Sequence, residues 1–105
     1  MPRPKIELPR EQLEEFCRRW KIVELSLFGS VLRDDFQPES DIDVLVSFAP
    51  DARRTLFDLV RIEDELADIL GRKVDLVLKS GIERSENWIR KRAILESAQV
   101  VYATR

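Results

Sequence analysis

Asp41 and Asp43 stand two residues apart at the start of an apolar run, Ile42-Asp43-Val44-Leu45-Val46. A strand alternates its side chains, so both carboxylates would share one face, about 7 Å apart along the chain. Two such groups side by side repel each other unless a cation lies between them. Mg²⁺ suits that position, because it takes hard oxygen ligands and is commonly shared between one or two carboxylates and substrate phosphates. A third carboxylate, Asp75, interrupts the apolar stretch Lys73-Val74-Asp75-Leu76-Val77-Leu78. A charge among such neighbours needs compensation. It is either an exposed edge-strand charge or a partner of the other two. If its strand lies beside Ile42–Phe48, the three carboxylates could hold two cations about 3.5–4 Å apart, the arrangement for phosphoryl or nucleotidyl transfer. The chain has no histidine, which removes the commonest general base. Asp75 then becomes the candidate for general base, or for ligand of the cation on the attacking side.

Gly29-Ser30 closes the apolar run that precedes the Asp pair. Glycine has no Cβ, so phosphate oxygens can approach its backbone closely. If Ser30 opens a helical turn, its N–H groups and hydroxyl can bind terminal phosphates. Arg33, three residues on, either contacts a phosphate oxygen or pairs with Asp34, Asp35 or Glu39. Ser40 caps the loop or orients Asp41 by a hydrogen bond.

These residues need elements to hold them. Pro9-Arg10-Glu11 opens an amphipathic helix with Leu13, Phe16, Cys17 and Trp20 on one stripe. Ile22 to Phe28 alternates as a strand and stops at Gly29-Ser30. A short helical turn through Val31–Arg33 and a polar loop from Asp34 to Ser40 lead to a second strand, Ile42–Phe48. Its apolar residues on both faces predict a central place in the sheet. Leu56, Leu59, Val60, Leu66, Ile69 and Leu70 mark a longer helix, and Gly71 sits just past its end. Lys73 to Lys79 reads as a third strand, Glu83 to about Ser97 as a final helix, and Gln99-Val100-Val101-Tyr102 as a short closing strand. The order predicts an α/β (α+β) fold, a small mixed β-sheet with helices packed on it, in a single domain over residues 1–105.

Hydrophobic residues make up 44% of the 105, too many for a disordered chain. No apolar run reaches the ~18 residues of a membrane span, and the start lacks a signal-peptide segment, so a cytoplasmic protein with no membrane contact is expected. Cys17 is the only cysteine; it can form neither an internal disulfide nor a zinc cluster and reads as a buried apolar residue. The net charge of −2 gives no case for direct nucleic-acid binding. The charge is uneven, however. Residues 1–78 carry 12 basic and 17 acidic side chains, and residues 79–105 carry 6 and 3. The basic segment is either a solvated face or a contact for phosphates or an acidic partner. Trp88 can stack a base, but its helical spacing with Ile89 and Leu95 fits packing or partner contact better.

Taken together, Leu27-Phe28-Gly29-Ser30, Leu32-Arg33-Asp34-Asp35-Phe36, Ser40-Asp41-Ile42-Asp43, Gly71-Arg72-Lys73-Val74-Asp75 and the closing Ile89-Arg90-Lys91-Arg92 closely resemble the DNA polymerase β-like nucleotidyltransferase superfamily. Within it, the chain is most similar to the minimal nucleotidyltransferases of prokaryotes. The resemblance implies the nucleotidyltransferase fold and Mg²⁺-dependent transfer of AMP from ATP, with Asp41, Asp43 and Asp75 as metal ligands, normally for two ions. It also implies that Gly29 and Ser30 bind the triphosphate. Many members carry arginine where Val31 stands and glycine where Asp34 stands. Such proteins are often paired with a HEPN-domain toxin, whose tyrosine they adenylylate as antitoxins. A non-catalytic antitoxin that neutralises by binding, or a nucleotidyltransferase for a small molecule, are the alternatives. Self-association stays open.

Overall fold

The computed structural model describes residues 8–29, 41–52 and 54–104. The turn expected through Val31–Arg33 and the loop from Asp34 to Ser40 lie outside these residues. Eight elements run in the order α1 (Arg10–Arg19), β1 (Ile22–Phe28), β2 (Ile42–Phe48), α2 (Leu56–Leu70), β3 (Val74–Leu78), α3 (Lys79–Glu83), α4 (Trp88–Ser97) and β4 (Gln99–Ala103). The strands form one mixed sheet in the order β3-β2-β1-β4. β1 pairs antiparallel with β2 and β4, whereas β2 and β3 run parallel. Reaching a parallel neighbour requires a crossover, and α2 supplies it.

The sheet separates two apolar clusters. Strand alternation sends Leu25, Leu27, Ile42, Val44, Val46 and Val74 to one face, where they pack with Phe16 of α1 and with Ile62 and Leu66 of α2. The other face is smaller: Phe28 and Leu45 pack with Ile82 of α3 and Ile94 of α4, with Val77 beside them. β2 contributes to both clusters, as its apolar residues on both sides require. The indole N–H of Trp20 donates to Glu65 Oε2 at 2.9 Å, and Arg19 pairs with the other oxygen of the same carboxylate, tying α1 to α2. Cys17 is buried, and that burial pushes its thiol up to about 12.

α2 is closed at both ends by local chemistry. Thr55 and Asp58 form a reciprocal capping box at its start. Gly71 adopts the left-handed conformation (φ 70°) at its end.

Two expectations change. The third strand ends at Leu78, and Lys79 begins α3 instead; its ammonium reaches Glu24 on β1 at 2.8 Å. The closing helix expected from Glu83 begins later, at Trp88, and Glu83 is instead the last residue of the short helix α3. Asn87 causes the later start: its Oδ1 accepts the Arg90 N–H at 3.1 Å and starts α4 at Trp88. Trp88 and Ile89 are exposed and belong to neither cluster.

Candidate active site

β2 and β3 are in parallel register, with Asp43 opposite Asp75. On the other side of β2, Phe28 pairs with Asp43. The end of β1 and the starts of β2 and β3 therefore meet at one end of the sheet. Asp41 lies two residues before Asp43, so the pleat returns it to the same face. That face also carries Leu45 and Val77, one pleat further along, and is the one covered by α3 and α4. Asp43 is half-buried, and Asp41 and Asp75 are exposed.

Gly29 follows Phe28 with φ 77°. Only glycine adopts this conformation freely. A second restriction is steric: a Cβ built on Gly29 would collide with Asp43 Oδ2 and lie 3.2 Å from its Cγ. The hydrogen of Gly29 thus makes room for the Asp43 carboxylate. The sequence suggested a glycine that lets phosphate approach; the structure adds a glycine that lets an acid approach. Ser30, Arg33 and Ser40 lie outside the described residues.

The chemistry of the three aspartates fits a hard divalent cation, since every donor is a carboxylate oxygen. Their backbone positions align, but among the described residues no three acidic, histidine or cysteine side chains converge into a cluster that could hold a metal ion. No helix among the described residues is long and apolar enough to cross a membrane.

A cleft of about 370 Å³ opens at the opposite end of β2 and β3, lined by Phe48, Arg54, Leu78, Ser80 and Arg84 among others. There the guanidinium of Arg54 lies 4.1 Å above the Phe48 ring.

A family model for the nucleotidyltransferase domain matches residues 9–101. A candidate protein adenylyltransferase of Methanocaldococcus jannaschii is 43% identical over 79 residues, covering 73% of this chain and 76% of that protein. The solved structure of a candidate minimal nucleotidyltransferase superposes with a TM-score of 0.66 at 33% identity, covering 86% of each chain. At 24% identity, a tri-AMPylated Shewanella oneidensis HEPN toxin in complex with its MNT antitoxin shares the fold. Its TM-score is 0.58, over 90% of this chain and 70% of that one.

Proposed function

The chain belongs to the nucleotidyltransferase domain family, and from that premise we propose that it transfers AMP from ATP to a hydroxyl of a HEPN-domain partner protein, as the antitoxin of a toxin–antitoxin pair. The observation that carries this reading is the pairing of Asp43 with Asp75 across β2 and β3, with Asp41 one pleat away and Gly29 opening space beside Asp43.

In the reaction the acceptor oxygen attacks the α-phosphorus of ATP. The new O–P bond forms as the bond from the α-phosphorus to the bridging oxygen breaks, and pyrophosphate leaves with that oxygen. The hydroxyl proton passes to the Asp75 carboxylate and from there to solvent. Asp41 and Asp43, with Asp75, would hold Mg²⁺, normally as two ions; bound there, it would offset the charge of the triphosphate and acidify the acceptor hydroxyl. The Asp43 carboxylate is kept in place by Gly29. Ser30, Arg33 and Ser40 would contact the nucleotide. Tyrosine is the acceptor side chain we favour. The relatives named as protein adenylyltransferases and the AMPylated HEPN toxin bound by a protein of this fold support the choice of a protein acceptor.

The test is label transfer. The full chain is incubated with labelled ATP, Mg²⁺ and the protein encoded beside it, which this reading expects to carry a HEPN domain. Label should appear on the partner's tyrosine, and an Asp41→Ala/Asp43→Ala variant should transfer none. Equal label with wild type and the variant would refute the catalytic assignment. Partner neutralisation retained by the double variant would instead support inhibition by binding alone.

A further inference from the structure

The register of β2 and β3 brings a cation to the three acids. Asp43 lies opposite Asp75 and Ile42 opposite Val74, so Asp41 lies opposite Lys73, one position further out. The ladder extends that far, because the Lys73 carbonyl accepts the Ile42 N–H at 2.9 Å. Val74 is buried in the cluster shared with α1 and α2. Alternation about it puts Lys73 and Asp75 together on the opposite face, which is the face of Asp41 and Asp43.

That cation is not engaged elsewhere. Lys21 pairs with Asp51, Lys79 pairs with Glu24, and the Lys91 ammonium donates to the Glu83 carbonyl. Lys73 is exposed, and among the described residues its ammonium has no hydrogen bond or ion pair, although Asp41 and Asp75 flank it. Nucleotidyl transfer gives such a charge a use. Two Mg²⁺ on the aspartates carry less positive charge than three carboxylates and a triphosphate carry negative charge. A positive side chain that the carboxylates leave unpaired offsets part of the difference. Its position selects the phosphate. From β1 to β3 the site runs Gly29, Asp43, Asp75, and Lys73 stands at the Asp75 end.

We propose that Lys73 binds the α-phosphate of the nucleotide, its ammonium donating to a non-bridging oxygen. The inference rests on the transfer reading, in which the acceptor attacks the α-phosphorus beside Asp75 and Gly29-Ser30 receives the rest of the triphosphate. The contact orients the phosphorus toward the acceptor and offsets the charge on its oxygens. Lysine fits the role as a compact charge on a flexible stem. Mg²⁺ on Asp41 and Asp75 takes up the negative charge that would otherwise draw the ammonium, and leaves it to the phosphate.

The experiment uses the full chain, Mg²⁺ and α,β-methylene-ATP, which binds without reacting, with affinity read by calorimetry. Lys73→Met should weaken binding about tenfold, the usual scale for a hydrogen bond to a charged group. Lys73→Arg should restore most of it. The melting temperature should not move, since Lys73 is exposed. Analogue bound by Lys73→Met as tightly as by wild type, or more tightly, overturns the proposal; a lysine that only screened the acids would give that result. A raised KM for the partner protein with unchanged analogue affinity overturns it too, by placing Lys73 on the acceptor. The two diastereomers of the α-thio analogue of ATP identify the phosphate: Lys73→Met should slow transfer less from one of them than from ATP, because sulfur already weakens that contact. Equal slowing with all three donors refutes the α-phosphate assignment. Analogue binding weakened by Lys73→Met, with no label transferred by wild type, upholds the contact and counts against the transfer reading. Transfer that needs Asp41 and Asp43 but is indifferent to Lys73→Met does the reverse.

Discussion

Gly29 meets two demands with one hydrogen atom. Its φ of 77° lies in the region that penalises a side chain, and the Asp43 carboxylate occupies the space where a Cβ would go. Gly29→Ala should therefore destabilise the fold by about 1–2 kcal/mol from backbone conformation alone and lower transfer by displacing Asp43. A chemical denaturation curve and the label assay on the same preparation would check both. Asp75 differs because it is exposed, so Asp75→Asn should leave the melting temperature unchanged while cutting transfer roughly 10²–10⁴-fold, the usual scale for removing a general base. Cys17 offers a test through pH. Its folded thiol is pushed up from 9.0 to about 12 by burial. Below pH 9 neither state ionises and nothing is lost; as pH rises toward 12 only the unfolded chain releases the proton, so stability falls, by at most about 1.4 kcal/mol per pH unit. Denaturant midpoints at pH 8 and pH 10.5 should separate more for the wild type than for Cys17→Ala. Cys17 was legible as a buried apolar residue; the steric role of Gly29 was not, because it depends on β2 lying beside the end of β1.

At the scale of elements, local signals placed most boundaries. β1 spans the residues that its alternation marks, β2 those of its apolar run, and α2 stops at the glycine that follows its last apolar residue. Where local signals compete, the expectation was too long. Ile89, Ile94 and Leu95 suggested one helix from Glu83, but the Asn87 side chain satisfies the Arg90 N–H and sets a new start. The apolar stripe of α2 is helical, yet Leu56 and Val60 lie exposed beside Leu76 and Leu78 of β3 rather than in the core. The capping box makes a specific prediction. Thr55→Ala should cost about 1 kcal/mol, measured as a lower denaturant midpoint, with hydrogen exchange accelerated in the first turn of α2 and unchanged in β1.

For the whole molecule, the sheet order matters most. β2 and β1 are interior and β3 and β4 are edges, so amides of β1 and β2 should exchange slowest in native-state hydrogen exchange, with β3 faster although it carries Asp75. The smaller cluster of Phe28, Leu45, Ile82 and Ile94 secures α4 over the face of the acids. Ile94→Ala should cost about 2–4 kcal/mol. Several features were settled by the chain alone. These are the alternating strands, the helix between β2 and β3, the absence of histidine chemistry, and the Gly29, Asp41, Asp43 and Asp75 spacing that resembles the family. Each is written in neighbouring residues and in the period of the side chains. Tertiary structure alone decided that β3 lies parallel to β2 with Asp75 opposite Asp43. It alone set the Asp43 carboxylate against Gly29. Those outcomes depend on which strand sits beside which. Non-local packing of both sheet faces selects that arrangement, and no local run of sequence encodes it.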